Sequence, residues 1–332
     1  MDLAMHISNG IINGPVSLVY AALAVILLAV CLQRSRQDLS DRLAPMAGLV
    51  AAFIFAAQML NFPVLSGVSG HLLGGALAAT LVGPWVGALC VAVVLIVQSL
   101  VFADGGVLAL GLNISNMALL GTAVGYLVVI GLMKLLPRTA FGVGAAVFIA
   151  SVVSVLLASQ GFVLQYMLGG SVPLTLSYGE IAGVLAGVHV LIGIGEGLIA
   201  ALAVIAVAKV RPDLVYALRG QRLETEVRRS PKPVIIAGLL TALVLAGGIS
   251  YFASGSPDGL DHTAQIGCEE DGSGTCMASG EKDHELAGSI LGDYSWNGID
   301  GTTGVAGAIG VVVTFAVGLA IFWVVRRRRV RA

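Results

Sequence analysis

Eight runs of consecutive apolar residues dominate this chain, at about 16–33, 44–62, 71–102, 113–133, 141–163, 181–208, 234–253 and 304–325. A hydrocarbon core of roughly 30 Å takes about 20 helical residues to cross, and most of these runs meet that length. Inside lipid the backbone has to satisfy its own hydrogen bonds, which leaves helices as the default spanning element. Composition agrees: of 332 residues, 57% are hydrophobic and 11% charged, less than half the charge of about 25% carried by soluble domains. The 44 glycines follow no Gly-X-Y period and suit close helix packing in lipid. The chain reads as an all-α polytopic membrane protein. Its net charge of −1 offers nothing to nucleic acid.

Basic residues set the orientation, because loops rich in Lys and Arg stay in the cytoplasm. Four groups hold 17 of the 18: Arg34, Arg36 and Arg42; Lys134 and Arg138; seven between Lys209 and Lys232; and Arg326 to Arg331. For the first two groups to share a side, an even number of crossings must separate them. Three runs lie between, and 71–102 is too long for one helix, with Gly83-Pro84-Trp85 interrupting it. Proline breaks a helix interior and tryptophan favours the membrane interface. Splitting that run predicts about nine transmembrane helices, seven plus two, with the N-terminus outside and the C-terminus cytoplasmic. No small-residue cleavage site ends the first run, so it is expected to stay as a helix.

The predicted organisation is a membrane domain over 1–210, a basic cytoplasmic linker over 211–233 and a two-helix unit over 234–332. The last contains an outer loop, 254–303, with ten acids against Lys282 alone. Its Gly and Ser content and lack of periodicity predict mostly irregular structure. Cys268 and Cys276 fall there, where oxidation is permitted, and are expected to pair. With His262 and His284 they match no standard metal spacing. Cys31 and Cys90 sit in apolar runs as small hydrophobes.

No Gly-x4-Gly-Lys-Ser/Thr loop is present, so this chain does not bind ATP in that way. Nor is there a nucleophile elbow or a pair of intramembrane carboxylates, which argues against an enzyme. The positive signal is histidine. The predicted topology brings His6 and His71 to the same outer face, and imidazole suits first-row divalent metals. Two interfacial histidines bonded to backbone are the alternative. His189 and Glu196, seven apart in one run, share a helix face and serve either metal passage or contact with a partner helix. Asn61, Ser69, Asn113 and Asn116 fall near the outer mouth, either as orienters of the imidazoles or as polar caps of helix ends.

Seven separate stretches stand in order along the chain: Met5-His6-Ile7-Ser8-Asn9-Gly10, Phe53 to Met59 with Asn61-Phe62-Pro63, Ser69-Gly70-His71-Leu72-Leu73-Gly74-Gly75, Gly83-Pro84-Trp85, Asp104-Gly105-Gly106, Asn113 to Met117, and His189 to Gly197. Together they resemble the CbiM/NikM family, the metal-capturing membrane subunit of energy-coupling-factor cobalt and nickel importers. The likeness covers roughly 5–210. Ser256-Pro257-Asp258-Gly259-Leu260-Asp261 resembles the PDGLE motif of the family's CbiN/NikN-like companion, with Asp in place of its Glu, and Asp293-Tyr294 is weakly similar too.

The resemblance implies metal ligation by the amine of Met5, the backbone nitrogen and imidazole of His6, and the imidazole of His71. A planar set of four nitrogens favours Ni(II) or Cu(II) and admits Co(II). Met5 is internal as written, so its amine is free only if the functional chain begins there. The resemblance further implies a CbiQ/NikQ-like transmembrane coupling subunit and two cytoplasmic CbiO/NikO-like ATPases in a prokaryotic cell membrane. No permanently bound cofactor is expected. The cargo is expected to be cobalt for cobalamin synthesis, with nickel as the alternative. A stand-alone metal transporter or channel, and a non-transporting metal-binding scaffold or sensor, are the alternatives from other classes.

Overall fold

The computed structural model describes residues 6–38, 43–172, 174, 176–219, 230–268 and 276–330, with side chains of the last helix through Val325. Met5 lies outside the described residues. The described residues are mostly helical, and among them seven helices are long and apolar enough to cross a membrane: Gly14–Arg36, Pro84–Val101, Leu110–Leu132, Ala140–Gly169, Tyr178–Val210, Lys232–Phe252 and Thr303–Val325. Two shorter apolar helices, Leu43–Gln58 and Gly75–Val82, occupy the remaining expected runs.

The short pair differs from the sequence expectation for a physical reason. Residues 59–74 leave the helical path and form an antiparallel hairpin, Phe62–Leu65 against Val68–Gly70, turned at Gly67 with φ +74. Ser69, His71 and Leu72 along this stretch are all buried in protein. Irregular backbone is tolerated among membrane helices where protein encloses it. Two helices are shortened, and the non-helical backbone is free to present side chains. The expected break at Gly83 is present: Gly83 has φ +88 and Pro84 starts the next helix. A β-carbon on Gly83 would meet the Tyr216 ring at 2.7 Å, so glycine serves both the turn and the packing.

Leu43–Gln58 is the central helix, with 14 of its 16 residues buried, an all-round apolar surface that suits only an interior position. Both helices of the C-terminal unit pack on it. At Gly48 a β-carbon would lie 3.3 Å from the backbone of Leu319 and Phe315, the close approach that small residues permit between membrane helices. The first helix is peripheral, and its Leu18, Val19, Val25 and Ile26 are 61–72% exposed, as a lipid-facing surface would be. At its basic end Arg34 lies over the Trp85 ring, 5.8 Å from the centroid. The long Tyr178–Val210 helix opens with a capping box between Ser177 and Glu180, which satisfies amides that its first turn leaves unpaired.

The Leu110–Leu132 helix widens into a π-helix over Ile114–Gly121. Such widening is frequent at functional sites. Here it falls on Asn116 and Met117, directly after Asn113. The described residues of the 254–303 loop are mostly irregular, as expected, with a short helix Gly259–Ala264. Cys268 and Cys276 are bridged, their Cα atoms 5.1 Å apart.

Candidate metal centre

Three non-helical connections converge at one end of the bundle. The segment before Gly14 brings His6, the hairpin brings His71, and the turn after Val101 brings Asp104. The imidazole rings of His6 and His71 lie 5.3 Å apart at an interplanar angle of 56°. Both are buried, with 4% and 5% of their surface exposed. They border a cavity of about 60 Å³ that His189, Asn113, Asn116 and Asp258 also line. This volume suits an ion or a few waters.

Each histidine is held by a carboxylate. Nδ1 of His6 lies 2.9 Å from Asp104 Oδ1, while the Tyr294 hydroxyl donates to Asp104 Oδ2 at 2.7 Å. Burial pushes the Asp104 carboxyl up, but the charge and hydrogen bonds of His6 and the Tyr294 bond outweigh it and hold the group below its usual range. Nε2 of His6 is buried and has no hydrogen-bond partner among the described residues, an arrangement that proteins rarely leave standing without a use. On the other side, His71 Nε2 lies 3.4 Å from Asp258 Oδ2, and its Nδ1 is 3.2 Å from the Leu72 carbonyl. Burial lowers the His71 imidazole. The hydrogen bond and charge of Asp258 more than reverse this, leaving it raised to about 9.

The surrounding amides fix the backbone that carries these groups. The Ile7 N–H donates to Asn113 Oδ1 at 3.0 Å, and Asn113 Nδ2 donates to the Ile7 carbonyl at 3.1 Å. A single carboxamide thus clamps the residue after His6. Gly105, at φ +75, allows the Asp104 turn to close on His6: a β-carbon there would lie 2.6 Å from the His6 β-carbon. Glu196 accepts from the Leu73 and Gly74 N–H groups at 2.6 and 3.3 Å, bracing the chain just after His71. His189 lines the same cavity, with Nδ1 2.8 Å from the Leu185 carbonyl. The helix face shared by His189 and Glu196 is therefore turned toward the His71 loop, a link that the topology had not revealed.

The other polar residues of the outer mouth hold structure at one remove. Asn116 borders the cavity but pairs with Gln165 through two amide bonds of 2.8 and 3.1 Å. The Ser69 hydroxyl donates to the Ser256 carbonyl at 2.7 Å, and its N–H to the Pro257 carbonyl at 2.9 Å. Ser69 thereby fixes the strand that delivers Asp258. The Asn61 carbonyl accepts from the Ser254 N–H at 2.7 Å. Of the four, only Asn113 bears directly on a residue adjoining a candidate ligand. Three contributors were missed as site residues: Asp104, Asp258 and Tyr294. Each lay inside a stretch that carried the resemblance, but pairing them with histidines required knowing which loops meet.

A buried pair of imidazoles set among carboxylates thus lies at one end of a bundle of membrane-length helices, although no group of three or more His, Cys, Asp or Glu side chains among the described residues is arranged to hold a metal ion. Residues 6–214 match the model of the CbiM family, cobalt uptake substrate-specific transmembrane region, and residues 232–327 match the PDGLE domain. The chain belongs to the CbiM family and carries a PDGLE domain behind it. It is 33% identical to a putative fused nickel transport protein NikMN of Archaeoglobus fulgidus, over 96% of this chain and 98% of that one. A cobalt transport protein CbiM of Kyrpidia tusciae is 30% identical over 64% of this chain and 86% of its own length. Among solved structures, a crystal structure of a transition metal transporter superposes with a TM-score of 0.53 at 29% identity, over 62% of this chain and 93% of that chain. The protein is thus a multi-pass membrane protein for cobalt or nickel transport.

Proposed function

We propose that this chain is the substrate-capture subunit of an energy-coupling-factor ABC importer, and that nickel is its cargo. The observation that carries the reading is the meeting of His6 and His71, distant in sequence, with ring centroids 5.3 Å apart beside a cavity of ionic size. The choice of metal reverses the order expected from the sequence. Three similar proteins whose names record a fusion of the two units, from Archaeoglobus fulgidus, Rhodobacter capsulatus and Lactiplantibacillus plantarum, are all named for nickel. A square-planar set of nitrogens also suits Ni(II).

In this reading the ligands are the Met5 amine, the His6 backbone nitrogen and imidazole, and the His71 imidazole. A chelate between the backbone nitrogen and imidazole of one histidine closes through Nδ1, the atom that faces Asp104. Loading would then exchange the Asp104 bond for the metal, while Nε2 of His71 turns from Asp258. The two carboxylates hold the imidazoles in the metal-free protein and return as hydrogen-bond partners on release. Orientation with this site outward follows from the basic loops, and separate coupling and ATPase subunits would supply the energy.

The test is competitive uptake of Ni2+ and Co2+ by cells coexpressing the partner subunits, with elemental analysis of the purified chain. Nickel enrichment that His71→Ala abolishes supports the reading. Equal uptake without ATPase activity would overturn it. Intact mass determines whether the metal-loaded chain begins at Met5, as the free amine requires.

A further inference from the structure

A second cavity, of about 480 Å³, lies at the basic end of the bundle between the two units. Its walls come from Leu43–Gln58, Gly75–Val82, Tyr178–Val210 and the Lys232–Gly247 helix. Small residues, Ala203, Ala206 and Ala237, line it where larger ones would take up space, while Gly238 is close-packed on Leu49, which a β-carbon there would meet at 2.8 Å. Its size is that of a ligand site. The space opens to the surface, with Ala206, Val210, Pro233, Ala237 and Thr241 exposed along it. Thr241 is the one polar side chain in the lining, and its hydroxyl already donates to the Ala237 carbonyl at 2.9 Å. An unfilled space this large would deprive its walls of dispersion contacts.

The rim supplies the opposite chemistry. Val210 and Pro233 line the cavity, and Lys209 and Lys232, next to them in sequence, are exposed. An apolar slot flanked in sequence by exposed ammonium groups is complementary to an acyl chain carrying an anionic headgroup, since basic residues near the membrane surface attract anionic lipid. We propose that this cavity is a binding site for one acyl chain of an anionic phospholipid, which fills the seam between the capture unit and the C-terminal unit. This proposal is independent of which metal is carried.

Native mass spectrometry of the full-length protein in mild detergent tests it, after delipidation and addition of phosphatidylglycerol or phosphatidylcholine. One phosphatidylglycerol per chain should be retained, at least fivefold in preference to phosphatidylcholine. Lys209→Gln with Lys232→Gln should remove the preference, and Ala206→Phe, which fills the slot, should remove retention of both lipids. Ala237→Leu serves the same purpose should the phenylalanine variant fail to fold. Equal retention of the two lipids, or retention unchanged by a folded slot-filling variant, would overturn the proposal and point to the 220–229 linker or a partner helix as the occupant.

Discussion

Asp258 stands 3.4 Å from Nε2 of His71, and this single contact joins the PDGLE domain to the histidine of the capture domain. It is supported from below: Asp258 caps the Gly259–Ala264 helix, accepting from the Leu260 and Asp261 N–H groups at 2.9 and 2.8 Å. A second contact runs from Tyr294 through Asp104 to His6. Both imidazoles are therefore reached by the C-terminal unit, which covers the cavity that the first domain builds.

The pH dependence of metal binding follows from the first contact. With its pKa raised to about 9, the His71 imidazole is cationic at neutral pH in the metal-free protein, and a metal ion has to displace that proton. Affinity should rise by at least about tenfold per pH unit up to about pH 9 from the His71 proton alone, and more steeply where the Met5 amine and the His6 backbone N–H of the proposed set also give up protons. Asp258→Asn should move the break toward the ordinary value near 6.5. Isothermal titration between pH 5.5 and 9.5 measures both.

The same shift has a sign for stability. A folded-state pKa above the unfolded value contributes stability fully below pH 6.5, and the contribution is lost as pH rises through 9. The melting temperature of the metal-free protein should fall across that window. In Asp258→Asn the fall should be smaller, as thermal unfolding in detergent would reveal.

Tyr294→Phe removes only the hydroxyl that holds Asp104. In the reading above the metal and Asp104 compete for Nδ1 of His6, and a hydrogen bond to a charged group contributes about 1.5–3 kcal/mol. Competition with a chromophoric chelator should therefore show tighter metal binding in Asp104→Asn, by about tenfold or more, and a smaller change in Tyr294→Phe.

Asn113 and Asn116 separate positioning from general structure. Asn113→Ala frees the backbone beside His6 and should weaken metal binding about tenfold or more. Asn116→Ala breaks a pair with Gln165 and should cost stability of about 1–3 kcal/mol with less effect on affinity. Chelator competition and thermal unfolding on both variants give the contrast.

Glu196→Gln keeps the volume but leaves one of the Leu73 and Gly74 N–H groups facing an amide donor. An unsatisfied buried donor costs about 1–3 kcal/mol. We expect a lower melting temperature together with weaker metal binding, because the strained chain carries His71. Thermal unfolding with and without Ni2+ separates the two effects.

Much of the helical plan was legible because lipid imposes a simple rule: a crossing needs a long apolar run, and nothing else suffices. The runs at 16–33, 141–163, 181–208 and 304–325 match helices within a few residues at most ends. Gly83-Pro84 declared its break by steric necessity. The run 44–62 ended early, because the chain turns at Asn61 into a hairpin that apolar composition does not announce. The same irregular stretch shortened the helix expected to begin at residue 71.

The candidate site divides in the same way. His6 and His71 stood out by themselves, since ionisable groups are few in this chain and charge segregation placed both on one face. Their partners could not be read, because hydrogen-bond pairing depends on which loops meet and not on the spacing within any one of them. Asp104, Asp258 and Tyr294 belong to connections far apart in sequence. Glu196 sits deep in a helix whose burial pattern gives no hint that two backbone N–H groups of another segment converge on it. The length of the apolar runs and the segregation of charge thus indicated which segments are membrane helices and which histidines to expect at one face. Only the tertiary packing of irregular backbone decided which carboxylates hold them.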